Sequence, residues 1–283
     1  IRDSVNPNMP RTHGDAFIPL EDIDYAYLED APLITVDPRA PGEETARIGR
    51  YIADLIEDGD CLQMGIGAIP DAALTNLGDR RHLGVHTEMF SDGLLPLVEV
   101  GAIDNSRKKR QRGKIVTGFV MGSETLYRFV DDNPEVIFLD IEYVNDPTVI
   151  ARNKQVVSIN SAIQIDLSGQ VCADSMGPRV YSGVGGQVDF VLGAAFSEGG
   201  KSIIALPSTA RGGSVSRFVA MLTQGSGVVT TRAHVDCIVS EYGVARLRGR
   251  SVVERARDLI AIAHPDFRER LMRDAREQLG LRL

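Results

Sequence analysis

The 283-residue sequence contains no tryptophan, 6% aromatic side chains and three cysteines. Cys61, Cys172 and Cys237 stand far apart, which argues against a disulfide framework and against the paired spacing of a zinc knuckle. A reducing, cytoplasmic setting is the expectation. Basic charge is also scarce: 31 Lys and Arg against 39 Asp and Glu leave a net charge of -8 and an isoelectric point near 5.2. A protein that grips a phosphate backbone needs a basic stripe, and the longest basic run here, Arg107-Lys108-Lys109-Arg110, reads as a solvated loop. Nucleic acid is therefore not an expected partner. Apolar runs fall well short of the ~20 residues that cross a bilayer, and no signal-peptide pattern opens the chain, so no membrane association is expected. The first residue is Ile1 rather than Met, which leads to the expectation of a start further upstream.

What is present is ordinary globular composition, 43% apolar and 25% charged, enough to bury one sizeable core. Residues 1–35, with Asn6-Pro7-Asn8-Met9-Pro10 and scattered acids but no sustained periodicity, read as a tail or interdomain segment, and residues 36–283 as the folded domain. From Glu43 to Ile56, Ala46, Ile48, Ile52, Ala53, Leu55 and Ile56 suit one helix face, which Gly59 stops. Cys61-Leu62-Gln63-Met64 reads as a buried strand, Gly65 to Ile69 as a loop, and Pro70 as an early residue of a helix. Gly84 to Phe90, Lys114 to Met121 and Val136 to Asp140 repeat the strand signal between helical or loop segments. Ile159, Ile163, Ile165 and Leu167 alternate with polar residues, and Ser168-Gly169 before Val171 and Ala173 predicts a hairpin in an antiparallel part of the sheet. Ser202 to Leu206 and Val235 to Val239 are further strands, and Val252 to Gln278 a closing helix. The class is α/β.

Three stretches combine glycine with a polar group at a strand end, where backbone can approach a ligand. Gln63-Met64-Gly65-Ile66-Gly67 precedes a helix start, whose free N–H groups suit a phosphate; a tight turn is the plain alternative. Gly65-x-Gly67 with Glu88 downstream also resembles a dinucleotide fingerprint. Pro70 at the third glycine position and the partly antiparallel pattern argue against that. In His86-Thr87-Glu88-Met89-Phe90-Ser91-Asp92-Gly93, a partly desolvated Glu88 can act as a nucleophile. Taken alone, Glu88 reads as a capping or salt-bridged acid, and His86 as a surface or structural histidine. Ser182-Gly183-Val184-Gly185-Gly186 allows backbone amides to converge on an oxyanion, or forms a plain turn.

Together and in order, QMGIGAIPDA, HTEMFSDG, EYVNDP, INSAIQIDLSGQ and SGVGGQVDF resemble the acetyl-CoA hydrolase/transferase family of class I CoA-transferases. NPNMPRTHG resembles the junction of that family's two halves and the rest its C-terminal half, with HTEMFSDG most similar to the 4-hydroxybutyrate CoA-transferase branch. The resemblance implies a NagB/RpiA/CoA-transferase-like fold, a mixed open sheet flanked by helices, packed against an N-terminal half of the same enzyme. Homodimers are common in such enzymes. It implies that Glu88 forms a covalent glutamyl-CoA thioester, and that Asn145, otherwise a turn residue before Asp146-Pro147, joins the Gly186 amide in stabilising oxyanions. Gln63, Met64, Gly65, Ile66 and Gly67 would line the coenzyme A pocket, with Ser182 and Gly186 on the cofactor's inner arm. The chemistry expected is ping-pong transfer of coenzyme A from an acyl-CoA to a small carboxylate of the acetate, butyrate or 4-hydroxybutyrate class. It needs no metal and no nucleotide redox cofactor. An acyl-CoA hydrolase and a non-catalytic CoA-binding module are the competing readings.

Overall fold

The computed structural model describes residues 2–37, 40–65 and 67–283. Nine strands form its main sheet: β1 (His13–Gly14), β2 (Cys61–Met64), β3 (Gly84–Phe90), β4 (Ile115–Val120), β5 (Val136–Phe138), β6 (Val156–Ser161), β7 (Lys201–Ala205), β8 (Cys237–Ser240) and β9 (Gly243–Arg246), in the order β9-β8-β7-β6-β2-β3-β4-β5-β1. Every neighbouring pair is parallel except β8 with β9. The sheet is therefore mixed and open, as expected, and its parallel strands place Met64, Phe90, Val120, Ser161 and Ala205 along one edge. In β2 all four residues are buried, and in β6 all but Ser161. That continuous burial matches helices on both faces of the sheet.

One face is covered by α1 (Glu43–Ala53), α2 (Ala68–Leu74), α3 (Leu95–Glu99) and α4 (Glu124–Val130). Ile48 and Ile52 of α1 join Ala73, Leu74, Leu97 and Leu126 against Leu62, Val85 and Phe90 in one apolar cluster. The spacing of Ile48 and Ile52 puts both on the same helix face, while Gly49 lets α1 cross α2: a Cβ there would lie 2.5 Å from the Ala72 carbonyl oxygen. The other face carries α5 (Ile141–Val144), α6 (Pro147–Ile150) and α7 (Gln187–Phe196), whose Val144, Ile150, Phe190 and Ala194 pack with Val116 and Val156.

Several expectations are refined. The predicted hairpin forms between Gln164–Asp166 and Val171–Cys172, antiparallel, but in a separate sheet with Phe218–Val219; Ile159 belongs to β6. The predicted closing helix is two, α8 (Val252–Ala261) and α9 (Pro265–Leu279). A reciprocal Ser251–Glu254 capping box starts α8, and the pre-proline residue His264 interrupts the chain before α9. Residues 3–37 contain no buried position, yet His13–Gly14 extends the sheet at β5 and Arg2–Val5 pairs in parallel with Tyr25–Leu28. The basic run is not wholly solvated: Lys108 is 4% exposed, and its Nζ donates to the carbonyls of Val85 (2.6 Å) and Lys114 (2.7 Å).

Candidate active site

The strands β2 and β3 pair only at Cys61 with Gly84 and Leu62 with Val85, then part toward their C-terminal ends. Beyond the split, the Thr87 hydroxyl bridges the gap, accepting from Met64 N at 3.2 Å, with Met89 O at 2.8 Å and Met64 O at 3.2 Å as the acceptors within reach of its one proton. The next residue of β3 is Glu88. Alternation along the strand sends Thr87 and Glu88 to opposite faces, and Glu88 faces the side covered by α5 and α7.

There the half-buried Glu88 carboxylate is held through a single oxygen. Oε2 accepts from the Gly186 amide at 2.9 Å and from Asn145 Nδ2 at 3.0 Å. Among the described residues no hydrogen-bond donor serves Oε1. Gly186 is the N-cap of α7, so the free amides and positive end of that ten-residue helix face the carboxylate. Asn145 closes α5, one residue before the Asp146 N-cap of α6, and this break between two short helices turns its side chain toward β3. Its Oδ1 is buried without a protein partner.

Gly186 is demanded by space. Its φ of -84° and ψ of 8° suit any residue, but a Cβ would stand 2.2 Å from Glu88 Oε2 and 2.5 Å from Asn145 Nδ2. Charge is concentrated here too: burial first, and then the Glu88 carboxylate, raise the Asp189 carboxyl above its ordinary range.

A cavity of about 230 Å³ opens over Glu88 and is lined by Gln63, Met64, Gly65, Ser182 and Gly186, together with Met89 and Phe119. Six of the site residues expected from the sequence thus share one wall, and Asn145 reaches it through Glu88. Gly67, with φ +123° at the start of α2, lines a neighbouring 660 Å³ cavity with Asp71, Ser91 and Met89. Ile66 lies outside the described residues. Sequence reasoning missed Asn160, which exchanges amide hydrogen bonds with the buried Gln63 at 3.0 and 3.3 Å and lines the same cavity; a lone amide ending the apolar run Val156–Ile159 was the signal for it. It also left His86 open between surface and structural readings, whereas that ring is 2% exposed.

Residues 122–275 match the acetyl-CoA hydrolase/transferase C-terminal domain, a span that holds Asn145 and Gly186 but not Glu88. The chain is 52% identical to the 4-hydroxybutyrate coenzyme A transferase of Clostridium kluyveri over 274 residues, covering 97% of this chain and 64% of that protein. Its fold superposes on RipA from Yersinia pestis with a TM-score of 0.93 at 43% identity, covering 98% of this chain and 63% of that one. It also superposes on the 4-hydroxybutyrate CoA-transferase from Porphyromonas gingivalis with a TM-score of 0.87 at 42% identity, covering 98% and 66%. The chain thus spans less than two thirds of the C. kluyveri relative's length. Among the described residues no helix is long and apolar enough to cross a membrane. With its motifs, sheet and relatives in agreement, the chain belongs to the acetyl-CoA hydrolase/transferase family, whose C-terminal domain it carries.

Proposed function

We propose that this chain is the catalytic C-terminal portion of an acyl-CoA:carboxylate CoA-transferase in which Glu88 is the nucleophile. The observation that carries the reading is the one-sided grip on the carboxylate: Oε2 is held by Gly186 N and Asn145 Nδ2, which leaves Oε1 to attack. Attack of Oε1 on an acyl-CoA carbonyl expels the coenzyme A thiolate and forms an acyl-glutamyl anhydride. The carbonyl oxygen of the glutamyl group is then Oε2. When the thiolate returns to the glutamyl carbon, negative charge develops on Oε2, already aligned with two donors, and Oε1 leaves with the acyl group as the product carboxylate. A second carboxylate runs the sequence in reverse and restores an oxygen to Glu88. Thioester bond energy is conserved, and the kinetics are ping-pong.

Gln63, Met64, Gly65 and Ser182 are assigned to the thiol-bearing arm of coenzyme A, since they line the same cavity as Glu88. At about 230 Å³ that space falls below the roughly 300–1,000 Å³ of whole-ligand pockets, which supports a cleft with a second wall. The N-terminal portion that relatives possess would supply it, with residues 1–35 as the connection. Relatives named for 4-hydroxybutyrate favour a short-chain carboxylate as acceptor.

The test is intact-mass and peptide mass spectrometry of the full-length protein incubated with acetyl-CoA or butyryl-CoA. Coenzyme A carried on the Glu88 peptide, and lost in Glu88→Ala, is the expected result. Coenzyme A released without any acceptor would assign a hydrolase instead. Binding with no covalent adduct would sink the nucleophile assignment and favour a non-catalytic binding module.

A further inference from the structure

His86 lies two residues before Glu88 on β3, on the same face of the strand. Its Nε2 is 2.8 Å from the Val144 carbonyl oxygen. A carbonyl only accepts, so Nε2 carries the proton, and Nδ1 is left buried with no partner among the described residues. Val144 immediately precedes Asn145, the first donor to Glu88. The other side of the ring meets Phe190 edge-on, with centroids 6.3 Å apart and planes at 62°. Phe190 is fully buried, and its amide donates to the Gly186 carbonyl in the first turn of α7. One imidazole therefore touches both elements that deliver a donor to the carboxylate.

We propose that His86 is the positioning residue of this site: its Nε2–H fixes the Val144 carbonyl and its ring fixes Phe190, so that one side chain on the Glu88 strand sets both donors to Oε2. The proposal rests on the reading of Glu88 as nucleophile. An apolar filler of this space would remove the one donor, among the described residues, to the carbonyl of the fully buried Val144 and leave that acceptor unpaired just ahead of Asn145. Burial, reinforced by the nearby Lys108 ammonium, pushes the imidazole pKa down to about 4. The ring is thus neutral through the physiological range and keeps one tautomer.

The test uses the full-length protein. His86→Phe keeps bulk and the edge contact but removes the donor, whereas His86→Gln offers an amide N–H near the place of Nε2. Relative to wild type, His86→Phe is expected to lower kcat about 10- to 100-fold, with the acyl-CoA KM within about twofold, because a misplaced donor weakens the transition state rather than coenzyme A binding. His86→Gln is expected to recover most of that loss. Crystal structures of both variants read the distances from Gly186 N and Asn145 Nδ2 to Glu88 Oε2 directly, which should lengthen in His86→Phe alone. If His86→Phe does not fold, His86→Leu replaces it. Unchanged kcat and unchanged distances in a folded donorless variant would overturn the proposal, as would equal losses in His86→Phe and His86→Gln. Absence of a Glu88 adduct in wild type is read separately; it removes the nucleophile reading itself and with it the role proposed for His86.

Discussion

A methyl group at position 186 would lie 2.2 Å from Glu88 Oε2 and force it aside, although the backbone there suits alanine. Gly186→Ala is therefore expected to leave the thermal unfolding midpoint nearly unchanged while slowing turnover by about a hundredfold, the scale of a 1 Å misplacement of catalytic groups. A drop in stability without a drop in kcat would contradict the spatial argument. Asn145→Ala removes one of the two donors outright and is expected to cost about a hundredfold in kcat in steady-state assays. The two outcomes differ in the covalent step. In Asn145→Ala the unobstructed Glu88 should load coenzyme A slowly but completely, whereas in Gly186→Ala the displaced carboxylate should load only a small fraction of the protein in the same time.

At the scale of elements, α7 carries the site because it is pressed onto α6. Gly193 makes this possible: a Cβ there would lie 2.4 Å from Ile150 Cγ2 and 2.6 Å from Ile150 Cβ. Gly193→Ala should cost about 1–3 kcal/mol by overpacking, read as a lower urea midpoint, and should reduce kcat by tilting the helix that presents Gly186. Pairing it with Ile150→Ala is expected to return part of both losses, since contacting sites are not additive.

The same elements show what could be read from the sequence. Cys61–Met64 and Gly84–Phe90 form strands with the predicted bounds, because each is a short run carrying apolar side chains between turn residues. The hairpin at Ser168-Gly169 was legible from its turn chemistry, but its placement outside the main sheet depends on contacts with residues 218–219, which local pattern does not carry. The site divides in the same way. Glycines at strand ends stood out by themselves, but Asn145 and Gly186 meet Glu88 across separations of 57 and 98 residues, and it was family resemblance that joined them. Lys108 misled for the opposite reason: a charge run suggests solvent, whereas the chain folds this one of its four basic side chains inward.

For the molecule as a whole, the buried His86 makes stability pH-dependent. Its pKa falls from 6.5 to about 4 on folding, so between those values the unfolded chain binds a proton that the folded chain refuses. Stability must then rise with pH across the window and fall on acidification, by up to about 1.4 kcal/mol per pH unit. Carboxyls raised by desolvation, those of the buried Asp60 and the half-buried Asp71 and Asp189, act in the opposite sense. The informative quantity is thus the difference in unfolding free energy between wild type and His86→Gln. That difference is expected to shift against wild type from pH 6.5 to 4 and to stay level above pH 7.

The sheet also ends in a way that bears on how the chain behaves in a crowd. At one border the antiparallel β9 turns back on β8; at the other, His13 and Gly14 pair with Ile137 and Phe138 of the apolar strand Val136–Phe138, and the Asp15 amide donates to the Phe138 carbonyl at 2.7 Å. The cover fits closely, since Gly14 takes φ +104° and a Cβ on it would lie 2.2 Å from the Phe138 carbonyl oxygen. Stripped of it, that row of amides and carbonyls becomes a template for another copy. A chain begun at residue 15 should scatter light increasingly with concentration where the longer chain does not, which would make this short stretch of chain a guard against self-association.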